Sequence, residues 1–198
     1  MFASKSRVSA MGTLCAAKRG TGVDFFIPFG GQALNAVDAK GRVSLPADLR
    51  TTVERRAALG RDNGLPVDDK VLHIAEDEEL PCLVGFDETE QFNLARRLRE
   101  LRAADPVTSG RKSLVRRDRG TETFAPAQRV VFDKAGRMVL PSFLRDFADI
   151  GDFAFFTGNG DNFDIWSPGR AHAHFTAIGE GRLVRILDYL CKEKGVKL

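Results

Sequence analysis

Residues 37–50 read V-D-A-K-G-R-V-S-L-P-A-D-L-R, and residues 132–145 read F-D-K-A-G-R-M-V-L-P-S-F-L-R. Seven of the fourteen positions are identical in register: Asp38/Asp133, Gly41/Gly136, Arg42/Arg137, Leu45/Leu140, Pro46/Pro141, Leu49/Leu144 and Arg50/Arg145. The copies are 95 residues apart (Asp38 to Asp133). Two copies at that distance are not a solenoid, whose repeats are short and numerous. They predict two copies of one small module related by a pseudo-two-fold axis.

Each copy reads as strand, turn, strand, helix. Asp-x-x-Gly is a turn signal, because Asp bonds the amides ahead of it and Gly accepts positive φ. R-V-S-L alternates polar and apolar, as a half-buried strand does. Pro46 and Pro141 stop the strand and suit the first turn of a helix. Helices are predicted over Ala47–Ala58 and from Pro141 through Ala148, with a polar loop from Gly60 to Asp69. Strands are predicted at Lys70–Ala75, Cys82–Phe86, Arg129–Phe132, Phe153–Thr157 and Asn162–Trp166, the last two joined around Gly158-Asn159-Gly160. Asp87–Ala103 carries the clearest helical stripe (Phe92, Leu94, Leu98, Leu101), with Asp87 or Thr89 as cap. Ser167 caps a short helix, and Gly179–Lys194 is a last amphipathic one. The fold class is α+β and rich in β structure. Strands this short do not build a doubly wound parallel sheet, and two interlocked modules would close into a small barrel.

The chain has 198 residues, 43% hydrophobic and 29% charged, with a net charge of +3. That balance describes a soluble globular protein and is too weak to prove an anionic partner. The distribution says more. Nine Lys/Arg stand between Arg96 and Arg119, against Glu100, Asp105 and Asp118. Cys15, Cys82 and Cys191 show no metal spacing and suit a reducing compartment. No apolar run approaches the roughly 20 residues of a membrane span. The basic N-terminus lacks the continuous apolar stretch of a signal peptide.

Catalytic signatures are weak. His172-x-His174 lacks a third ligand nearby. His73 lies in an apolar strand and reads as packed, and Trp166 reads as an anchor. Nothing forms a complete phosphate loop or triad. The repeated motif leaves two readings open. In one it is wholly structural, with Arg50 and Arg145 paired to nearby acids. In the other Arg42 and Arg137, each just after a tight turn, present guanidinium groups outward. Arginine forks match phosphate oxygens and the O6/N7 edge of guanine, and β-ribbons fit the major groove. Lys40 and Lys134 sit in the same turns.

The doubled motif resembles the MraZ family of bacterial regulators, built from two SpoVT-AbrB modules. F-D-I-W-S at residues 163–167 is similar to the family's strand after the second motif. The resemblance spans about residues 29–175. It implies a swapped-hairpin, double-module β-barrel with short flanking helices. The division would be a disordered basic arm (1–28), module one (29–88), a helix and basic connector (89–123), module two (124–175) and a helical tail (176–198). It implies sequence-specific binding of double-stranded DNA at promoter direct repeats. The target would be the chain's own division and cell-wall gene cluster, usually under repression. Subunits would assemble into ring-shaped homo-oligomers in the cytoplasm, associated with the nucleoid. Arg42 and Arg137 take the DNA-binding role, supported by Lys40 and Lys134. Asp38, Asp133, Arg50 and Arg145 take structural or backbone-contact roles. No catalytic residue, cofactor, metal, membrane or small-molecule substrate is expected. The rival is a ring-forming protein-interaction scaffold; a metal-dependent enzyme using His172 and His174 is a weaker one.

Overall fold

The structure, a computed structural model, describes residues 27–104 and 124–198. Most of the expected N-terminal arm, Cys15 and the connector from residue 105 to 123 lie outside the described residues. In chain order the elements are β1 (Gln32–Ala36), β2 (Arg42–Ser44), α1 (Ala47–Asp62), β3 (Val71–Glu76), β4 (Leu83–Asp87) and α2 (Glu88–Ala104). The second half follows with β5 (Gln128–Val131), β6 (Arg137–Val139), α3 (Ser142–Ala148), β7 (Phe153–Gly158), β8 (Phe163–Trp166), α4 (Pro168–Ala177) and α5 (Gly181–Lys194). The fold is α+β with antiparallel pairing throughout these strands.

Strand order carries the symmetry expected of a repeat. The six-stranded sheet runs β1-β7-β8-β4-β3-β5, and β2 and β6 form a separate two-stranded ribbon. Exchanging β1 with β5, β7 with β3 and β8 with β4 leaves the order unchanged. The registers exchange too: Ala36 faces Phe153 in one half, and Val131 faces Val71 in the other. The strand that opens each half therefore pairs with the other half. At the centre, Val84 faces Asp164 on the axis itself. Beside them Gly85 faces Phe163, and a Cβ on Gly85 would lie 2.4 Å from the Phe163 ring. The absent side chain is what lets that ring enter the core.

The expected closed barrel is not formed by these pairings. β1 and β5 remain the two ends of the sheet, and β2 is tied to the first strand's end by the Val37–Val43 bridge, the Asp38 amide donating to the Arg42 carbonyl at 3.0 Å and Asn35 Nδ2 donating to the Ser44 carbonyl at 2.7 Å. A three-residue strand has few ladder bonds to give. β2 gives them to β6, so the anticipated hairpin opens into two sheets after one bridge.

One core cluster draws on both halves and lies between the sheet, the ribbon and the first helices. It includes Val43, Leu45, Leu49, Met138, Leu140, Leu144, Phe156 and Phe163. A second cluster, on Leu34, Phe155 and Trp166, is covered by Ala171, Phe175, Leu187 and Cys191 of α4 and α5. The C-terminal tail is thus packed on the sheet.

Local readings shift in three places. Pro46 and Pro141 occupy the cap position, with ψ of 142° and 140°, one residue before the helix. α1 continues through Gly60, read as the start of a loop. A Cβ there would lie 3.0 Å from Val67, so close packing favours the glycine despite its poor helix propensity. The α2 stripe is only partly covered: Leu98 is buried, while Phe92 and Leu101 are exposed. Asp87 caps α2, accepting from the Glu90 amide at 2.9 Å, and Ser167 caps α4.

A buried ionic cluster joins α1 to α2. Arg56 Nε lies 3.0 Å from Asp87 Oδ2, its Nη2 lies 3.6 Å from Glu90 Oε2, and Arg97 pairs with Glu90. Burial pushes both carboxyls above their usual range, and the Arg56 charge opposes this at each. Breaking one member of such a cluster leaves a buried charge uncompensated. Arg56→Leu is expected to destabilise the fold by about 3 kcal/mol, read as a lowered denaturant midpoint. Asp164 is pushed up to about 6, first by burial and then by the Asp77 charge. A raised acid binds protons longer when folded than unfolded, so stability falls as pH rises from about 4 to about 6. Asp164→Asn is expected to add about 1–2 kcal/mol at pH 7.5 and to flatten that slope. Urea titrations at pH 4.5 and pH 7.5 check it; equal effects at both would refute the assignment.

Candidate functional site

The β2–β6 ribbon is built by two copies of one turn. Asp38 Oδ1 accepts from the amides of Lys40 and Arg42 at 2.9 Å each. Asp133 Oδ1 accepts from Ala135 and Arg137 at the same distances. Gly41 and Gly136 close the turns at φ of 76° and 80°, each donating to its aspartate's carbonyl at 2.8 Å. These bonds explain why Asp and Gly recur four residues apart from the arginine and one before it. The amide of the following arginine, then its side chain, holds each carboxyl below the usual carboxylate range.

The ribbon places the two arginines together. Arg42 faces Val139, and Ser44 faces Arg137. Side chains alternate, so Val43 and Met138 point into the core while Arg42, Ser44, Arg137 and Val139 are exposed on the other face. From strand geometry the two arginine Cα atoms sit on a diagonal of roughly 8 Å. The guanidinium-bearing side chains are 61% and 70% exposed. Each Nε meets the aspartate of its own turn, at 2.5 Å for Arg42 and 2.7 Å for Arg137. Among the described residues no other partner engages the terminal nitrogens. A cleft of ≈ 620 Å³ between the turns is lined by both arginines, both aspartates, Ser44 and Val139.

Lys40 and Lys134 are exposed in the turns. Arg50 and Arg145 are placed differently. Each reaches under the opposite turn: a Cβ on Gly41 would lie 2.9 Å from Arg145 Nε, and one on Gly136 would lie 3.1 Å from Arg50 Nη1. Crossed backbone bonds, Leu45 N to Gly136 O and Leu140 N to Gly41 O, tie the same four segments. Ser44 and Val139 were not singled out from sequence, although the period-two alternation of R-V-S and R-M-V places each on its arginine's face.

The other candidates go elsewhere. His172 Nε2 lies 3.3 Å from Asp188, and His174 stacks on Trp166 at 5.0 Å. Among the described residues no three His, Cys, Asp or Glu side chains gather as a metal group. No described helix is long and apolar enough to cross a membrane.

Residues 123–178 match the family model described as MraZ protein, putative antitoxin-like. The protein named transcriptional regulator MraZ from Gluconobacter oxydans (strain 621H) is 32% identical over 140 residues, covering 71% of this chain and 76% of that protein. The protein of the same name from Roseiflexus sp. (strain RS-1) is 30% identical over 142 residues, 72% of this chain and 82% of the relative. That from Coxiella burnetii (strain Dugway 5J108-111) is 28% identical over 131 residues, 66% and 74%. The chain belongs to the MraZ family.

In this MraZ-family chain the two turns are alike but not equally crowded. A Cβ on Gly41 would lie 2.8 Å from the Leu140 carbonyl, whereas on Gly136 its nearest atoms stand at 3.1 Å. Both positions also need positive φ. Gly41→Ala is therefore expected to cost about 2–3 kcal/mol and Gly136→Ala about 1–2 kcal/mol. Thermal unfolding of the two variants checks the order, and equal costs would contradict it.

Proposed function

We propose that the chain is a DNA-binding transcriptional regulator that reads duplex DNA with the outer face of the β2–β6 ribbon. The observation that carries this reading is the exposure of Arg42 and Arg137 side by side on one ribbon. A two-stranded ribbon fits the major groove, and arginine pairs with guanine there through two parallel bonds. The name of the relatives, transcriptional regulator, supports it.

Asp38 and Asp133 hold each arginine at Nε while DNA is absent. A phosphate or a guanine edge then takes the terminal nitrogens. The pairing is exposed, so little is lost if DNA rearranges it. Lys40 and Lys134 reach phosphates from the turns. Arg50 and Arg145 brace the opposite turns and act on DNA only through that support. The remaining parts of the proposal rest on the family resemblance: a swapped-hairpin arrangement of two modules, assembly into a ring, and repression of the chain's own division and cell-wall genes at promoter direct repeats. A ring repeats the ribbon, and linked ribbons share an effective concentration that raises affinity. Work of this kind is done in the cytoplasm on the nucleoid and needs no cofactor.

Arg42→Ala and Arg137→Ala are each expected to weaken binding to promoter DNA by about tenfold or more, since a lost bidentate pair costs about 1–3 kcal/mol and repeats along the ring. Circular dichroism should stay unchanged. Lys40→Ala and Lys134→Ala should instead lower the salt dependence by about one phosphate contact each. Gel-shift titration of the region upstream of the coding sequence at two salt concentrations makes the comparison. Full affinity in both arginine variants would end the proposal.

A further inference from the structure

The two halves present the same arginine but not the same neighbour. Beside Arg42 and Arg137 on the outer face, the equivalent positions are Ser44 and Val139. Val139 is 51% exposed, with its side chain in the cleft between the arginines. The fold does not require an aliphatic group there. Its counterpart Ser44 is polar and exposed, while the packing of the ribbon is done from the other face by Val43 and Met138.

We propose that Val139 is a specificity-determining residue, contacting the C5-methyl group of a thymine next to the guanine read by an arginine, and that Ser44 makes the other half of the ribbon indifferent to that methyl. The inference rests on the DNA-binding reading above. In the major groove a thymine differs from the other bases by that methyl, and apolar side chains are what recognise it. Register decides the neighbourhood: Val139 lies directly across from Arg42 and two residues beyond Arg137, so it borders both arginines from one corner of the outer face, with Ser44 at the opposite corner. Each ribbon would then read a site that is palindromic in guanine and unsymmetrical in thymine. A subunit could thus be oriented on DNA even though its arginines are related by a two-fold axis. That orientation is what direct repeats, as opposed to inverted ones, demand of a symmetric reader.

The test uses the full chain and a duplex selected by it from a random library. Each thymine of that duplex is replaced in turn by deoxyuridine, which lacks only the methyl. The wild-type chain should lose about three- to fivefold in affinity at one thymine per bound ribbon, the worth of one buried methyl group. Val139→Ser should bind the uracil and thymine duplexes equally. On a duplex given a thymine at the symmetry-related position, Ser44→Val should gain the same sensitivity to uracil there. Both side chains are exposed, so the fold should tolerate the changes; thermal unfolding verifies it. Uracil substitution that never matters to the wild type, or matters equally to Val139→Ser, overturns the inference alone. Failure to enrich any duplex overturns the DNA-binding reading and this inference with it.

Discussion

Neither half of this chain can finish its own backbone bonding, and the rest of the structure follows from that. β1 needs β7, β5 needs β3, and β2 needs β6. An unpaired strand edge is costly when buried and adhesive when exposed. The exchange gives each opening strand a partner in the other half and leaves one open edge on β1 and one on β5 in the six-stranded sheet. At its centre the Leu45 amide donates to the Gly136 carbonyl and the Leu140 amide to the Gly41 carbonyl. Those two bonds are why the glycines recur: they need positive φ, and they must also admit a neighbour's backbone and arginine within a few ångströms. The repeated Asp-x-x-Gly-Arg is therefore a device for joining two halves before it is anything else. The outward arginines are what the joining leaves free.

Charge is used in two opposite ways. At the turns the aspartate–arginine pairs are exposed and local, four residues apart in the chain. Water and salt screen them, so they steer a side chain more than they hold a fold. Between α1 and α2 the Arg56–Asp87–Glu90 cluster is buried. There desolvation raises the cost of each carboxylate and makes the partners dependent on one another. The first arrangement suits groups that must change partners. The second fixes a helix pair.

Much of this was legible in the sequence because the repeat states it twice. The turn chemistry, the helix that follows Pro46 and the cap at Ser167 follow from residue type and spacing, while residue type narrows the α2 cap only to Asp87 or Thr89 and spacing leaves the repeated arginines both a structural and an outward reading. What was not legible depends on distant partners. Gly60 looks like a helix end by propensity, yet Val67 and Thr89 pack where its side chain would be. The α2 stripe looks buried by period, yet Phe92 and Leu101 stay exposed. The barrel expected from the resemblance is not closed by the strand pairings, which form a six-stranded sheet and a two-stranded ribbon, and which strand joins which depends on distant partners. Arg50 and Arg145 appeared as one repeated residue, but their reach under the opposite turn is a property of the exchange. A local pattern cannot encode it.

The outer face of the sheet shows how far two copies can diverge once the ribbon is kept. Leu34, Phe155 and Trp166 lie across three adjacent strands, and the equivalent row in the other half is Arg129, His73 and Phe86. The apolar row is covered by α4 and α5. The mixed row lies near α2, where Glu88 stands 3.9 Å from Arg129 and burial lowers the His73 pKa, with the imidazole stacked on Phe86. Each row matches in polarity the helices packed near it, apolar under α4 and α5 and mixed beside α2. On the ribbon the inward pair, Val43 and Met138, are equivalents of one another and face each other across the strands, so each must fit the other's size. The outward positions carry no such constraint: the arginines recur, and Ser44 and Val139 are the equivalent pair that differs toward solvent.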